Sequence, residues 1–294
     1  MQIAFHLGAH CTDEGALLRV LLQNRAKLLR EGIAVPDPAR YPVLLQAAAS
    51  IYAGRQPSET ISDELLDALL PSEAEDGVAR VVLSFDAFLA FQRDAVTEHQ
   101  LYPAAAKRLL GLQQLFAREE LDLLLAIRNP ATFLPALSAR RAQKGHGPLP
   151  EGFDASGLKW SELFGRLRAA CPEARLTVWC DEDTPLIWHR VLRAAAGHDE
   201  ATELDHALDL ASSLMEPAGA RRLLAWFAEV RPQTDAARQQ GLAQFLERFA
   251  VHERLQMTFE MPGWTEATVN DLTARYEADC ARIAGMEGVR FLRP

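Results

Sequence analysis

Four short runs in this chain are apolar at nearly every position: residues 3–7, 79–85, 121–127 and 176–180. Runs of this length without polar alternation predict strands covered on both faces, the habit of parallel sheets. Between them the spacing becomes helical. Leu17, Leu18, Leu21, Leu22, Leu28 and Leu29 share one face of a helix predicted from about Gly15 to Arg30, closed by Gly32 and barred by Pro36-Asp37-Pro38. Further helices are expected over residues 104–120 and 160–170, the latter ended by Pro172. Residues 87–96 read as another helix, with Asp86 as its cap.

Strands alternating with helices predict an α/β fold, a parallel sheet flanked by helices. After residue 185 strand character disappears until 289–292, and residues 185–283 read as helices broken at Gly197, Pro217, Pro232 and Pro262-Gly263. The expected organisation is one domain over 1–294: a sheet-forming core, 1–185, with a helix-rich C-terminal half, 186–294, packed on it. Residues 55–60, 71–77 and 144–157 read as linkers. The last carries four glycines and two prolines and reads as a surface loop of the kind that covers active sites. Trp226, Phe227, Phe245, Leu246 and Phe249 recur at helical spacing as a core stripe; exposed, they would make a dimer face, which leaves a homo-oligomer open.

Length and an apolar share of 49% allow a large core, so the chain belongs with ordinary globular proteins rather than disordered ones. A net charge of −9 excludes general attraction to nucleic acid or an anionic membrane. The four cysteines, Cys11, Cys171, Cys180 and Cys280, form no CxxC pair and read as reduced thiols of a cytoplasmic protein. No apolar stretch reaches the roughly 20 residues a membrane helix requires. His6 and His10 lie near Cys11, but their spacing runs from strand into loop, and His252-Glu253 does not extend to HExxH; no metal is expected.

The chemistry concentrates where the first strand breaks at Gly8. A strand turning at glycine into a helix makes a phosphate cradle, because loop amides and the positive helix end converge. The loop Gly8-Ala9-His10-Cys11-Thr12-Asp13-Glu14-Gly15 has no lysine and carries two carboxylates, so it is not a Walker loop. A plainer reading is equally open: acidic residues capping a helix start, with no ligand. His10 is a weak catalytic candidate that, facing the cradle, would supply a cation at low pH, and Cys11 a candidate for a thiol of lowered pKa.

The segment from His6 to Leu17 resembles the phosphosulfate loop of the PAPS-dependent sulfotransferases, His-x-Gly-x-x-Lys-Thr-[Gly/Ala]-Thr-[Thr/Ser]-x-Leu. His6, Gly8, Thr12 and Leu17 match; Cys11 stands at the lysine, Asp13 at the small residue, and Glu14 and Gly15 at the hydroxyl pair. Val81-Val82-Leu83-Ser84-Phe85-Asp86 resembles the family's second strand, and Leu124-Leu125-Ala126-Ile127-Arg128-Asn129-Pro130 its strand ending in Arg-x-Pro. Trp160-Ser161-Glu162-Leu163-Phe164-Gly165 is similar to a passage of bacterial members, and residues 268–292 to their C-terminal helix.

The resemblance implies a P-loop sulfotransferase-like fold. It implies sulfuryl transfer from PAPS to a hydroxyl or amine of a small molecule or glycan. Gly8, Ala9, His10, Cys11 and Thr12 would cradle the 5′-phosphosulfate, and Arg128 would hold the 3′-phosphate of PAPS or its product PAP. The serine expected eight positions after that arginine is Ala136; Ser138 lies two further on. Asp86 would be the general base, provided burial raises its pKa. Without the loop lysine a large electrostatic contribution is lost, typically about 10²–10³ in rate per donor. The expectation is a sulfotransferase-like protein impaired in donor binding; the alternative is a non-catalytic protein of the same fold that binds another ligand or a protein partner.

Overall fold

The apolar runs become the centre of one sheet. The computed structural model describes residues 1–52, 54–70, 77–151, 153–255 and 261–294. Its strands are β1 (Gln2–His6), β2 (Ile33–Ala34), β3 (Arg80–Ser84), β4 (Glu120–Ile127), β5 (Arg175–Cys180) and β6 (Val289–Leu292). All pair in parallel, in the order β2-β3-β1-β4-β5-β6, with His6 level with Ser84 and Leu124. Each interior strand is apolar on both faces because both faces are covered. Ile3 and Phe5 face one layer, and Ala4 the other.

The helices are α1 (Ala16–Gln23), α2 (Arg25–Leu29), α3 (Tyr41–Tyr52), α4 (Ile61–Leu69), α5 (Ala105–Leu115), α6 (Pro130–Gln143), α7 (Trp160–Ala170), α8 (Thr184–Ala196), α9 (Asp209–Ser213), α10 (Pro217–Val230), α11 (Asp235–Phe249), α12 (His252–Leu255) and α13 (Glu266–Ala284). Leu44, Leu109, Phe133, Trp160 and Leu272 place α3, α5, α6, α7 and α13 on one face of the sheet; Leu17, Leu28 and Trp188 place α1, α2 and α8 on the other. A third apolar cluster, Ala211, Met215, Leu223 and Leu242, joins α9, α10 and α11 outside α8. The aromatic stripe from Trp226 to Phe249 packs half-buried against it. Gly241 is what lets α11 lie on Trp226, since a Cβ there would stand 2.5 Å from the ring.

Several local expectations are corrected. The helix expected from Gly15 to Arg30 breaks at Asn24, whose amide group donates to the Val20 and Asp205 carbonyls and accepts the Asp205 N–H. The Asn24 backbone keeps its bonds to Val20 and Leu28, while its side chain ties the break to Asp205. Residues 87–96 form turns and a 3₁₀ segment, Gln92–Asp94, not a helix, so Asp86 caps nothing. The helix of residues 104–120 ends at Leu115, because Glu120 already pairs in β4. The two-residue strand β2 has too short an apolar run to read from sequence. The linker expected at 71–77 lies, up to residue 76, outside the described residues, as does position 152 of the 144–157 loop.

The topology fixes where a site can form. From β1 the chain passes to α1 on one face, while β3 and β4 lead to α5 and α6 on the other. Loops leaving adjacent strand ends in opposite directions open a crevice at their carboxyl ends. The loop from Gly8 to Gly15 lies in it.

Candidate functional site

Gly8 ends β1 with φ +48°, a conformation that favours glycine, and turns the chain over the strand ends. Cys11 (φ +61°) and Glu14 (φ +50°) are also left-handed, and Gly15 (φ +73°) delivers the chain into α1. Thr12 Oγ1 donates to the Ala9 carbonyl at 2.7 Å and closes the loop on itself. A cavity of about 240 Å³ results, walled by Gly8, Ala9, Cys11, Thr12, Asp86 and Arg140. Among the described residues, the amides of Ala9, Cys11, Asp13 and Glu14 meet no protein acceptor. Loop amides without acceptors are the donor set of an anion cradle.

The helix end itself is taken. Asp13 accepts the Leu17 N–H on Oδ2 at 2.9 Å and the Gly15 N–H on Oδ1 at 3.2 Å. Arg140, on α6, is paired with both carboxylate oxygens of Glu14. Arg128 donates through Nη1 to the Cys11 carbonyl and through Nε to Thr132 Oγ1, and Trp160 Nε1–H fastens the Arg128 carbonyl at 2.9 Å. Arg128 therefore holds the loop from outside rather than pairing with an acid. Asp181, at the end of β5, is pushed up to about 7 by burial; Arg128 opposes the shift, and Glu182, Asp13 and Glu14 reinforce it.

The predicted residues divide. Gly8, Ala9, Cys11, Thr12 and Asp86 are brought to one cavity. His10 is not: its N–H donates to Tyr102 Oη at 2.9 Å, its Nδ1 lies 3.0 Å from the same hydroxyl, and its ring stacks on Tyr102. Burial lowers its pKa, so a cation at His10 forms only below the ordinary histidine range. Cys11 is buried and its thiol is raised to about 11, chiefly by burial, which reverses the expected activation. Asp86 is exposed, so the burial on which its role as base depends is missing. Ser138 is buried in α6, and its hydroxyl accepts the Leu149 N–H at 3.0 Å rather than facing an anion. Glu182 lies in the 3₁₀ turn Asp181–Asp183 that leads into α8. Its carboxylate accepts from the Asn129 N–H at 2.8 Å and from the Tyr276 hydroxyl at 3.0 Å, tying α6 and α13 together.

Two cavity residues escaped the sequence reading as site residues. Ser84 faces His6 Nδ1 at 2.8 Å, and His6 Nε2 is buried without a partner. Burial holds His6 neutral, against Asp13 and Asp86. The readable clue was position: both end strands next to the crevice. Among the described residues no group of His, Cys, Asp and Glu is arranged to hold a metal, and no helix is long and apolar enough to cross a membrane. For a phosphosulfate this lining is obstructed, because Asp13 already holds the Gly15 and Leu17 amides and Glu14 is paired with Arg140. Compared with family models, with characterised proteins and with solved structures, the chain matched none.

Proposed function

We propose that the chain is a P-loop sulfotransferase-like protein whose donor site is closed by its own acids, a member impaired in binding PAPS. The observation that carries this reading is the Asp13 carboxylate on the Gly15 and Leu17 amides, the position where a donor anion would meet the start of α1. The parallel sheet with a glycine-turned loop after β1, and Arg128 bound to that loop, supports the architecture. Cys11 brings no charge to the place where the family's lysine neutralises the transferring group. Arg140 is committed to Glu14, and Arg128 and Arg19 are committed to the Cys11 and Glu14 carbonyls.

A thermal-shift titration with adenosine 3′,5′-bisphosphate, against ATP and sulfate, tests the reading on two proteins. The native chain is expected to show no selective stabilisation up to millimolar nucleotide. An Asp13→Ala, Glu14→Thr variant frees the helix amides and Arg140, and is expected to gain a selective shift. At 100 times the dissociation constant the gain is about 2.7 kcal/mol. A selective shift in the native chain overturns the impairment. No shift in either protein overturns the donor-site ancestry and turns the search to another ligand or a protein partner.

A further inference from the structure

A cleft of about 700 Å³ opens beside β2, the strand at the free edge of the sheet. Its lining comes from three places. Arg25, Leu29 and Arg30 come from α2 and its end, and Val35 and Asp37 from the chain just after β2. Arg40, just before α3, and Leu69, at the end of α4, complete it. The cleft shares no residue with the cavity beside Gly8.

The chain as a whole carries a net charge of −9, yet this lining holds three arginines against one aspartate. Asp37 is engaged with its own backbone, its Oδ1 accepting the Ala39 N–H at 2.8 Å. Among the described residues Arg25 has no hydrogen bond or ion pair. Arg30 Nε donates to the Ala26 carbonyl at 3.3 Å. Arg40 Nη1 donates to the Leu69 carbonyl at 3.2 Å and to that of Leu70. Carbonyls orient these two guanidiniums but leave their charge uncancelled. Like charges gathered at one concavity add their fields there, so the cleft attracts an anion. A guanidinium fork matches phosphate two bonds at a time, which a point-charge ammonium does not.

The space also exceeds what a bare phosphate fills. At roughly 30 Å³ per water-sized group it takes about twenty such groups. Ala26, exposed, and Leu29, half-buried, offer apolar surface between the charges, and the arginine stems extend it. We propose that this cleft binds an organic phosphate, its doubly charged group held by Arg25, Arg30 and Arg40 and its apolar body laid against Ala26 and Leu29.

Equilibrium dialysis of the full chain with 1-naphthyl phosphate, read by naphthyl absorbance at about 0.15 M salt, tests this. Saturable binding is expected. 1-Naphthol, which keeps the body and lacks the charge, is expected to bind about tenfold more weakly or worse, and so is inorganic phosphate, measured by competition. Arg25→Gln combined with Arg30→Gln should weaken the naphthyl phosphate by about tenfold or more, and Ala26→Glu should do so by repulsion. All three positions are exposed, and circular dichroism establishes that the variants are folded. No saturable binding up to millimolar naphthyl phosphate overturns the proposal, as does equal affinity for 1-naphthol or for inorganic phosphate. Unchanged affinity in the substituted chains overturns it too. So does loss of binding in Arg140→Gln alone, which would put the phosphate beside Gly8 instead.

Discussion

Asp13 Oδ2 accepts the Leu17 N–H at 2.9 Å, so the loop after β1 supplies from its own sequence the anion that the start of α1 attracts. The bond falls on the second residue of the helix, and Oδ1 of the same carboxylate takes Gly15 as well. A cradle shaped to meet an anion and an acid placed to be that anion are two consequences of one local sequence, Asp13-Glu14-Gly15.

Removing the acid should have a measurable cost. Asp13→Ala is expected to destabilise the chain by about 1 kcal/mol, the usual worth of a side-chain helix cap. Equilibrium unfolding in urea reads this directly. A variant as stable as the native chain would mean that the bond to Leu17 contributes nothing.

The Cys11 thiol should resist alkylation. It is buried, raised to about 11, and its carbonyl is gripped by Arg128. Since the thiolate is the nucleophile, iodoacetamide at pH 8 is expected to modify Cys11 far more slowly than an exposed cysteine. Arg128→Ala releases the loop and is expected to speed modification of the Cys11 peptide at least tenfold (an order-of-magnitude expectation), followed by peptide mass spectrometry. Fast labelling of the native chain would contradict the buried placement.

Stability should depend on pH through groups that oppose one another. His189 is lowered to about 4, mainly by burial, with Asp235 opposing; His6, His10 and His198 are lowered in the same direction. Between pH 6.5 and about 4 the unfolded chain takes up a proton that folded His189 refuses. Its contribution is present above pH 6.5 and lost on acidification, by up to about 3 kcal/mol. Asp181 has the opposite sign. Raised to about 7, it stays protonated in the fold, and its contribution is lost as pH rises from 3.8 towards 7. In guanidinium unfolding from pH 4.5 to 7.5, Asp181→Asn is expected to steepen the rise of stability with pH, and His189→Gln to flatten it. Two variants with the native profile would refute the assignment.

Cys180 and Cys280 are free thiols with their sulfurs 3.7 Å apart, joining the end of β5 to α13. The S–H of one stabilises the thiolate of the other: the Cys180 thiol is lowered and that of Cys280 raised. Hydrogen peroxide is expected to convert the pair to a disulfide, two thiols and one peroxide giving the S–S bond and two waters. Closing a loop of about 100 residues should add about 2–4 kcal/mol to stability. Cys280→Ser abolishes the gain if the pair is responsible. Mass spectrometry that finds both thiols free after oxidation removes the prediction.

The sheet was legible because its strands are buried on both faces, and such burial writes itself as an unbroken apolar run. Residues 176–180 and 289–292 are predicted close to β5 and β6, and helix α7 is predicted to the residue. The loop at Gly8 was legible for a related reason, since a turn at the end of a strand needs glycine locally. Asn24 and residues 87–96 were not, because their conformation answers to partners distant in sequence. The Asn24 side chain binds the Asp205 backbone, and Arg108 Nε and Nη2 reach the Phe88 and Ala87 carbonyls.

The sequence by itself determined the strand–turn–helix at the first strand, a loop with Cys11 and no lysine, and the presence of two acids at the helix start. Those are one-dimensional facts of residue type and spacing. Only the tertiary structure decided what each group faces: His10 turned onto Tyr102, Ser138 onto Leu149, and Arg140 onto Glu14. The physical reason is that direction and burial are set by packing between elements far apart in the chain, and a side chain's chemistry follows from both.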